Sequence, residues 1–366
     1  MQEVSRRRRM WPSVCRHASS ALAQQACWLF QVRAHCLAMM HALLLSTLVA
    51  SAISMRPRTV IVTGATGKTG QAVVRELLKD EQTTIRCFVR NETKAREVLP
   101  VENPRLRFGP VDLEDPENVE QRTLDGDADA VVWCATGLAS DGATLIDQIS
   151  LPTLAKALPK VSRDAPPNCV MLSSAAVTRP GWSSRKQKKF ERSYDIPIVR
   201  LNPAGILGKK LNAEKKLARA TPAFCVVRPV GLNDDWPRGR PVFSQGDVAV
   251  GRSNREDVAA VLVAALDATE ARGKTFEMAT LKGYAPPSSF DDAFGALAYS
   301  PSRRATQATY ALVQQLLPGV EQDPTRLEMG RRYEEVDSGA VDRERGAAAT
   351  DREKAVAAGA AEGLSN

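Results

Sequence analysis

Arg58-Thr-Val-Ile-Val-Thr-Gly-Ala-Thr-Gly-Lys-Thr-Gly70, followed by Gln71-Ala-Val-Val-Arg-Glu-Leu-Leu78, decides how the rest of the chain is read. A β-branched run over 59–63 stops at glycines, and helical spacing begins at Gln71. The pattern predicts a buried strand, a tight turn and a helix start. Gly64 permits the sharp turn out of the strand, Gly67 lets backbone N–H groups approach an anion, and Gly70 allows the helix to pack closely on the strand. Thr66, Lys68 and Thr69 complete the turn. A phosphate placed there meets unpaired N–H groups and the positive end of the helix dipole. Gly67-Lys68-Thr69 also resembles the end of a P-loop, but that motif needs a glycine at position 62, where this chain has Val62. The strand–turn–helix context favours a dinucleotide site over a glycine turn without a ligand.

The charge is unevenly spread. The net charge is +8, and residues 1–58 carry +7 of it through eight arginines against Glu3. The basic balance therefore belongs to a leader, and it argues against nucleic acid as a partner of the folded body. All three histidines (His17, His35, His41) also lie in the leader. That excludes a Ser-His-Asp triad, a Cys-His pair and a His-ligated metal site in the body, and no metal site is expected. Cys87, Cys134, Cys169 and Cys225 each sit in an apolar run, with no zinc spacing, and read as buried thiols.

Three readings fit the leader, 1–57. Its arginines and lack of acid suit an organelle transit sequence. The apolar run over 43–49 with Ala50-Ser51-Ala52 suits a signal peptide. The apolar stretch over 37–53 is at the short limit for a membrane anchor, so membrane association is expected only if the leader is retained. Length and the small-residue pattern favour a removable targeting sequence. An organelle, with a plastid favoured, is the expected destination.

From 58 to 284, β-rich runs alternate with helical patterns. Strands are expected at 59–63, 84–89, 106–109, 130–135, 169–173, 225–230 and 275–279. Helices are expected at 71–79, 92–99, 116–124, 145–158 (with a kink or break at Pro152), 209–219 and 255–266, the last capped by Ser253 or Asn254. This alternation predicts an α/β fold with a doubly wound parallel sheet, Rossmann-like, whose ligand crevice lies at the carboxyl ends of the strands.

Those ends carry the candidate site. An NAD site usually places an acid about twenty residues past the glycines. Here that place holds Arg90, with Lys94 one turn on. A guanidinium forks onto a 2′-phosphate, which favours NADP; the competing reading is two solvated cations. After the third strand, Asp112 suits the adenine amino group and Leu113 its ring, while Asp112 as a cap for the helix at 116 fits equally. Ala135-Thr136-Gly137 would let a nicotinamide ribose lie on the backbone, and Ser173-Ser174 follow the fifth strand.

Together these residues resemble the atypical short-chain dehydrogenase/reductase family, in its NmrA-like and plastid NAD(P)-binding branch. The matching pieces are Val62-Thr-Gly-Ala-Thr-Gly-Lys-Thr-Gly70, Val89-Arg-Asn-Glu-Thr-Lys-Ala95, Val111-Asp-Leu-Glu-Asp115, Met171-Leu-Ser-Ser-Ala-Ala-Val-Thr-Arg-Pro180, Val226-Val-Arg-Pro229 and Asn254-Arg-Glu-Asp-Val-Ala259. The resemblance implies an NADP-binding fold with Ser174 or Ser173 at the catalytic serine and Pro229 beside the cofactor. Such enzymes usually add Tyr-x-x-x-Lys, the tyrosine acting as general acid. Tyr194 does not fit, because Ile198 stands four places on and Pro197 opposes a helix. Taking Glu214 as the family's glutamate puts the lysine at Lys210 and Ile206 where the tyrosine belongs. Lys210 as a cofactor-holding or desolvated catalytic lysine stands against Lys210 as one solvated charge among Lys209, Lys215 and Lys216.

The basic stretch 179–190, with Trp182 and Phe190, is expected as a solvated loop rather than a nucleic-acid contact, and 233–245 as a flap or hairpin. Beyond Pro286-Pro287, amphipathic helices are expected over 289–297, 305–317 and 325–335, within an extension from 285 to 336. Their apolar faces (Tyr310, Leu312, Leu316) suit docking on the body or on a protein partner. From 337 to 366 the chain is Ala, Gly and charge, and is expected to be disordered. Two functions follow: an NADP(H)-binding regulatory or assembly factor lacking the usual tyrosine, or an NADPH-dependent reductase of a small carbonyl or unsaturated substrate that uses Lys210 or Ser174.

Overall fold

The computed structural model describes residues 58–299 and 329–333. The leader, the helix expected over 305–317 and the tail from 337 lie outside the described residues. The first half runs β1 (Arg58–Thr63), α1 (Lys68–Leu77), β2 (Thr83–Val89), α2 (Glu92–Val98), β3 (Leu106–Pro110), α3 (Pro116–Leu124), β4 (Ala130–Trp133), α4 (Ile146–Ile149), α5 (Leu151–Ala157) and β5 (Cys169–Leu172). The second half runs α6 (Ser184–Lys189), α7 (Glu191–Tyr194), α8 (Pro197–Leu201), α9 (Ile206–Ala220), β6 (Phe224–Pro229), β7 (Gly231–Leu232), β8 (Gly239–Ser244), β9 (Arg252–Ser253), α10 (Arg255–Ala265), β10 (Lys274–Lys282) and α11 (Asp291–Gly295).

The main sheet has eight strands in the order β3-β2-β1-β4-β5-β6-β10-β8. Pairing is parallel from β3 to β10, and β8 closes the edge antiparallel to β10. The chain winds outward from β1 to β3, then crosses back to β4 and winds the other way. That reversal opens a crevice at the carboxyl ends of β1 and β4.

Both sheet faces are buried, so the strands read as continuous apolar runs while successive side chains serve opposite layers. Val60 and Val62 of β1, Val132 of β4 and Val227 of β6 face the layer built from α1 and α10, with Val73, Leu77, Val258 and Leu262. Ile61, Val131, Trp133 and Val226 face the layer of α3, α5 and α9, with Val119, Leu154 and Leu217. Cys87, Cys169 and Cys225 are buried, Cys134 is half-buried, and none is paired. Burial pushes the Cys87, Cys134 and Cys225 thiols up to about 12, and raises Cys169 as well.

Several local expectations are corrected. The helix expected over 145–158 with a kink or break at Pro152 is broken at Ser150 instead, and Pro152 lies in the first turn of α5, where its missing N–H costs nothing. Pro197 likewise opens α8 rather than blocking a helix. The stretch 179–190 is a short 3-10 turn and α6 instead of a loop, and Trp182 and Phe190 are buried edge to face with ring centroids 5.9 Å apart. The segment expected as a flap or hairpin contributes β8, which pairs antiparallel with β10 at the edge of the main sheet. Of the two caps expected for α10, Asn254 is the one the structure uses, accepting from the Glu256 N–H at 2.9 Å. Residues 329–332 do not continue a helix. Gly330 turns with φ +94°, and Arg332 bridges to Leu138.

Candidate functional site

The glycine turn closes tightly at the end of β1. Gly64 has φ +64°, and its carbonyl accepts the Gly67 N–H at 3.0 Å. A Cβ on Gly64 would come within 2.7 Å of the Ala135 nitrogen, and one on Gly70 would run into the Gly64 carbonyl. Both positions therefore require glycine for close approach. Gly67 is the residue preceding α1, and no side chain caps the helix. Gly67 and Lys68 are exposed while Thr69 and Gly70 are buried, and the first-turn N–H groups of α1 have no partner within the helix. Gln71 braces the turn by donating its side-chain amide to the Thr66 carbonyl at 2.9 Å. The Thr63 hydroxyl accepts from the Cys134 and Ala135 N–H groups at 3.2 and 3.3 Å, tying the ends of β1 and β4 together. Lys68 reaches Asp234, 3.6 Å away, and Asp234 also pairs with Arg255.

At the other end of the crevice, Arg90 is half-buried just past β2, its guanidinium 4.1 Å from the Tyr333 ring centroid. Lys94 lies in the first turn of α2, its N–H donated to the capping Asn91 side chain at 3.0 Å. Asp112 is exposed after β3, where its carboxylate accepts the Glu114 N–H at 2.9 Å. It does not cap α3, because Asp115 does so through the Glu117 and Asn118 N–H groups. Leu113 is fully buried against the same cluster as Tyr333. Ala135 and Gly137 are buried and Thr136 is half-buried. Gly137 has φ +145°, and a Cβ there would meet the Tyr333 Cα at 2.5 Å.

The candidate catalytic residues diverge. Ser174 is half-buried past β5, its hydroxyl donating to the Ala175 carbonyl at 2.8 Å and lying 3.8 Å from the Met329 sulfur. Ser173 is buried and donates to Glu214 of α9. Lys210 is 4 % exposed, so it is not one of a row of solvated charges. Its amine bonds Asp147 of α4 at 3.0 Å. Burial raises the Asp147 pKa, and Lys210 and the Trp133 indole oppose that rise. Tyr194 stacks on Trp182, ring centroids 6.4 Å apart, as part of a hydrophobic cluster.

Sequence reasoning missed a buried ionic ladder beneath these strand ends. Arg228, at the end of β6 beside the buried Pro229, binds both oxygens of Glu214 at 3.0 and 2.6 Å and lies 3.7 Å from Glu277 of β10. Glu277 accepts the Asp247 N–H at 2.8 Å, and the Asp247 carboxylate takes the Ala176 N–H at 2.6 Å and the Thr178 hydroxyl at 2.6 Å. Arg179 is fully buried and donates to the Asp247 and Ala249 carbonyls at 2.9 and 2.6 Å. Burial, reinforced by Asp247, pushes the Glu277 carboxyl up to about 8. The signal for these residues was charge inside apolar runs, as in Phe276-Glu277-Met278 and Ile146-Asp147. Among the described residues no group of His, Cys, Asp and Glu suits a metal ion, and no helix is long and apolar enough to cross a membrane.

Comparison with known proteins finds a family and several relatives. A family described as NAD(P)H-binding matches residues 64–269. An uncharacterized chloroplastic protein of Arabidopsis thaliana is 26% identical over 251 residues, covering 67% of this chain and 84% of its own length. The oxidoreductase nsrR of Aspergillus novofumigatus is 27% identical over 235 residues, covering 58% of this chain and 80% of its own. Among solved structures, the oxidoreductase ylbE from Lactococcus lactis superposes with a TM-score of 0.49 at 15% identity, covering 65% of this chain and 96% of its own.

Proposed function

The chain belongs to the NAD(P)H-binding family, and from that premise we propose that it holds NADP(H) as a regulatory or assembly factor with little or no turnover of its own. The observation that carries this reading is the retirement of Lys210. In the sequence it is the remaining substitute for the missing tyrosine acid, yet its amine is spent on buried Asp147. Ketone reduction needs a proton at the developing alkoxide. Ser174 alone is a poor acid, and residues 59–366 contain no histidine.

NADP over NAD rests on Arg90. Its cation stands where an NAD site has a carboxylate, and Lys94 adds a second positive charge one turn on. When bound, the cofactor would supply hydride chemistry. The pyrophosphate would rest on the N–H groups of Gly67 to Gly70, with Thr66, Lys68 and Thr69 around it. Asp112 and Leu113 would take the adenine, and Ala135, Thr136 and Gly137 the nicotinamide ribose, with Ser173 and Pro229 behind it. A plastid setting is supported by the Arabidopsis relative, which is a chloroplastic protein.

A second reading, an NADPH-dependent reductase of a small carbonyl or unsaturated substrate, is favoured by Ser174, whose hydroxyl is half-buried at the crevice end of β5.

Titration with NADPH and NADH separates these ideas. NADPH should bind more tightly, and Arg90→Ala should cut the NADPH-to-NADH preference by about tenfold or more, the loss of one charge-assisted contact. An unchanged ratio rejects the 2′-phosphate assignment. Steady NADPH oxidation against a panel of carbonyl and enone substrates would replace the regulatory reading with the reductase.

A further inference from the structure

Residues 329–333 come from the far end of the sequence, yet they lie along the crevice itself. Met329 places its sulfur 3.8 Å from the Ser174 hydroxyl, past β5. The Leu138 N–H donates to the Arg331 carbonyl at 3.0 Å, and the Tyr333 N–H donates to the Leu138 carbonyl at 2.7 Å, just past β4. The Tyr333 backbone covers Gly137 so closely that no side chain fits there. Its ring, 4 % exposed, lies on the Arg90 guanidinium past β2 and packs in the cluster that holds Leu113 and Val111 past β3. The segment therefore runs from the serine end of the crevice to the Arg90 end, the path a dinucleotide would take.

We propose that Met329–Tyr333 is an internal plug of the cofactor crevice, in which Tyr333 occupies the place of the adenine ring and competes with NADP(H). This rests on the NADP reading above. A flat aromatic ring over a guanidinium, with an aliphatic side chain beside it, is the arrangement that would receive an adenine. Two rings cannot share one face of Arg90. The backbone that lies on Gly137 also takes the room a ribose needs. Binding therefore requires the plug to leave, and the apparent affinity falls with the fraction of molecules in which it is closed.

The test uses the full chain with NADPH as the probe. Tyr333→Ala should bind NADPH about tenfold more tightly if the plug is closed in roughly nine molecules of ten, and Tyr333→Phe, which keeps the ring, should stay near the wild type. Hydrogen exchange on the unaltered chain gives a second readout that no folding defect can confuse. Saturating NADPH should speed exchange at the Leu138 and Tyr333 amides. Unchanged or weaker binding by a folded Tyr333→Ala, or slower exchange at those amides with NADPH, overturns the plug and leaves the cofactor site standing. Failure of both wild type and Tyr333→Ala to bind NADPH at millimolar concentration overturns the site and the plug together.

Discussion

Replacing Lys210 by methionine would strand the Asp147 carboxyl in an apolar site, since both groups are nearly sealed from water and bonded at 3.0 Å. Removing one partner of a buried ion pair costs about 3–5 kcal/mol, whereas replacing both by apolar groups is often neutral. Lys210→Met should therefore lower the urea midpoint sharply, and Lys210→Met with Asp147→Leu should recover most of the loss. A single variant as stable as the wild type would mean that the pair contributes little to the fold. At this scale the sequence singles out Lys210 as a lysine unlike its neighbours, and its burial agrees with that much. It did not disclose the partner, because Asp147 lies 63 positions away and only the packing of α4 on α9 joins them. Tyr333 was hidden for the same reason, at a distance no local pattern reports.

Elements were far more legible than contacts. Strand and helix patterns in the body gave the parallel sheet, because a buried β-branched run and a 3.6-residue stripe are local properties of the chain. The helix at Pro116–Leu124 was placed with its bounds, helped by the proline in its first turn. Local punctuation is the weaker guide: Pro237, Gly239 and Pro241 argue for a flap or hairpin, yet Pro241 sits in β8 on the edge of the main sheet, where a missing N–H is tolerated. The cap of α10 offers a test at this scale. The Asn254 side chain accepts from the Glu256 N–H and donates to the Trp236 carbonyl, fixing both the helix and the preceding loop. Asn254→Ala should cost about 1 kcal/mol from the cap alone, while Asn254→Asp should keep the cap and lose the Trp236 bond. Denaturation midpoints of the two variants, ranked below wild type with Ala lowest, would check it.

Across the whole molecule, stability should depend on pH through Glu277. In the folded chain burial and Asp247 hold its carboxyl up to about 8, against an ordinary value of 4.5. Between those values the folded chain keeps a proton that the unfolded chain gives up. Raising pH through that window therefore favours unfolding. Thermal midpoints should fall from pH 5 to pH 8, and the fall should be smaller in Glu277→Gln. Equal slopes for the two proteins would show that Arg228 and Arg179 keep the carboxyl ionised. The thiols of the sheet are the last groups whose ionisation matters. A thiol must ionise before peroxide or a disulfide can act on it, and at about 12 Cys87, Cys134 and Cys225 stay protonated at any cellular pH. At those three positions the described body therefore offers oxidants no ready thiolate.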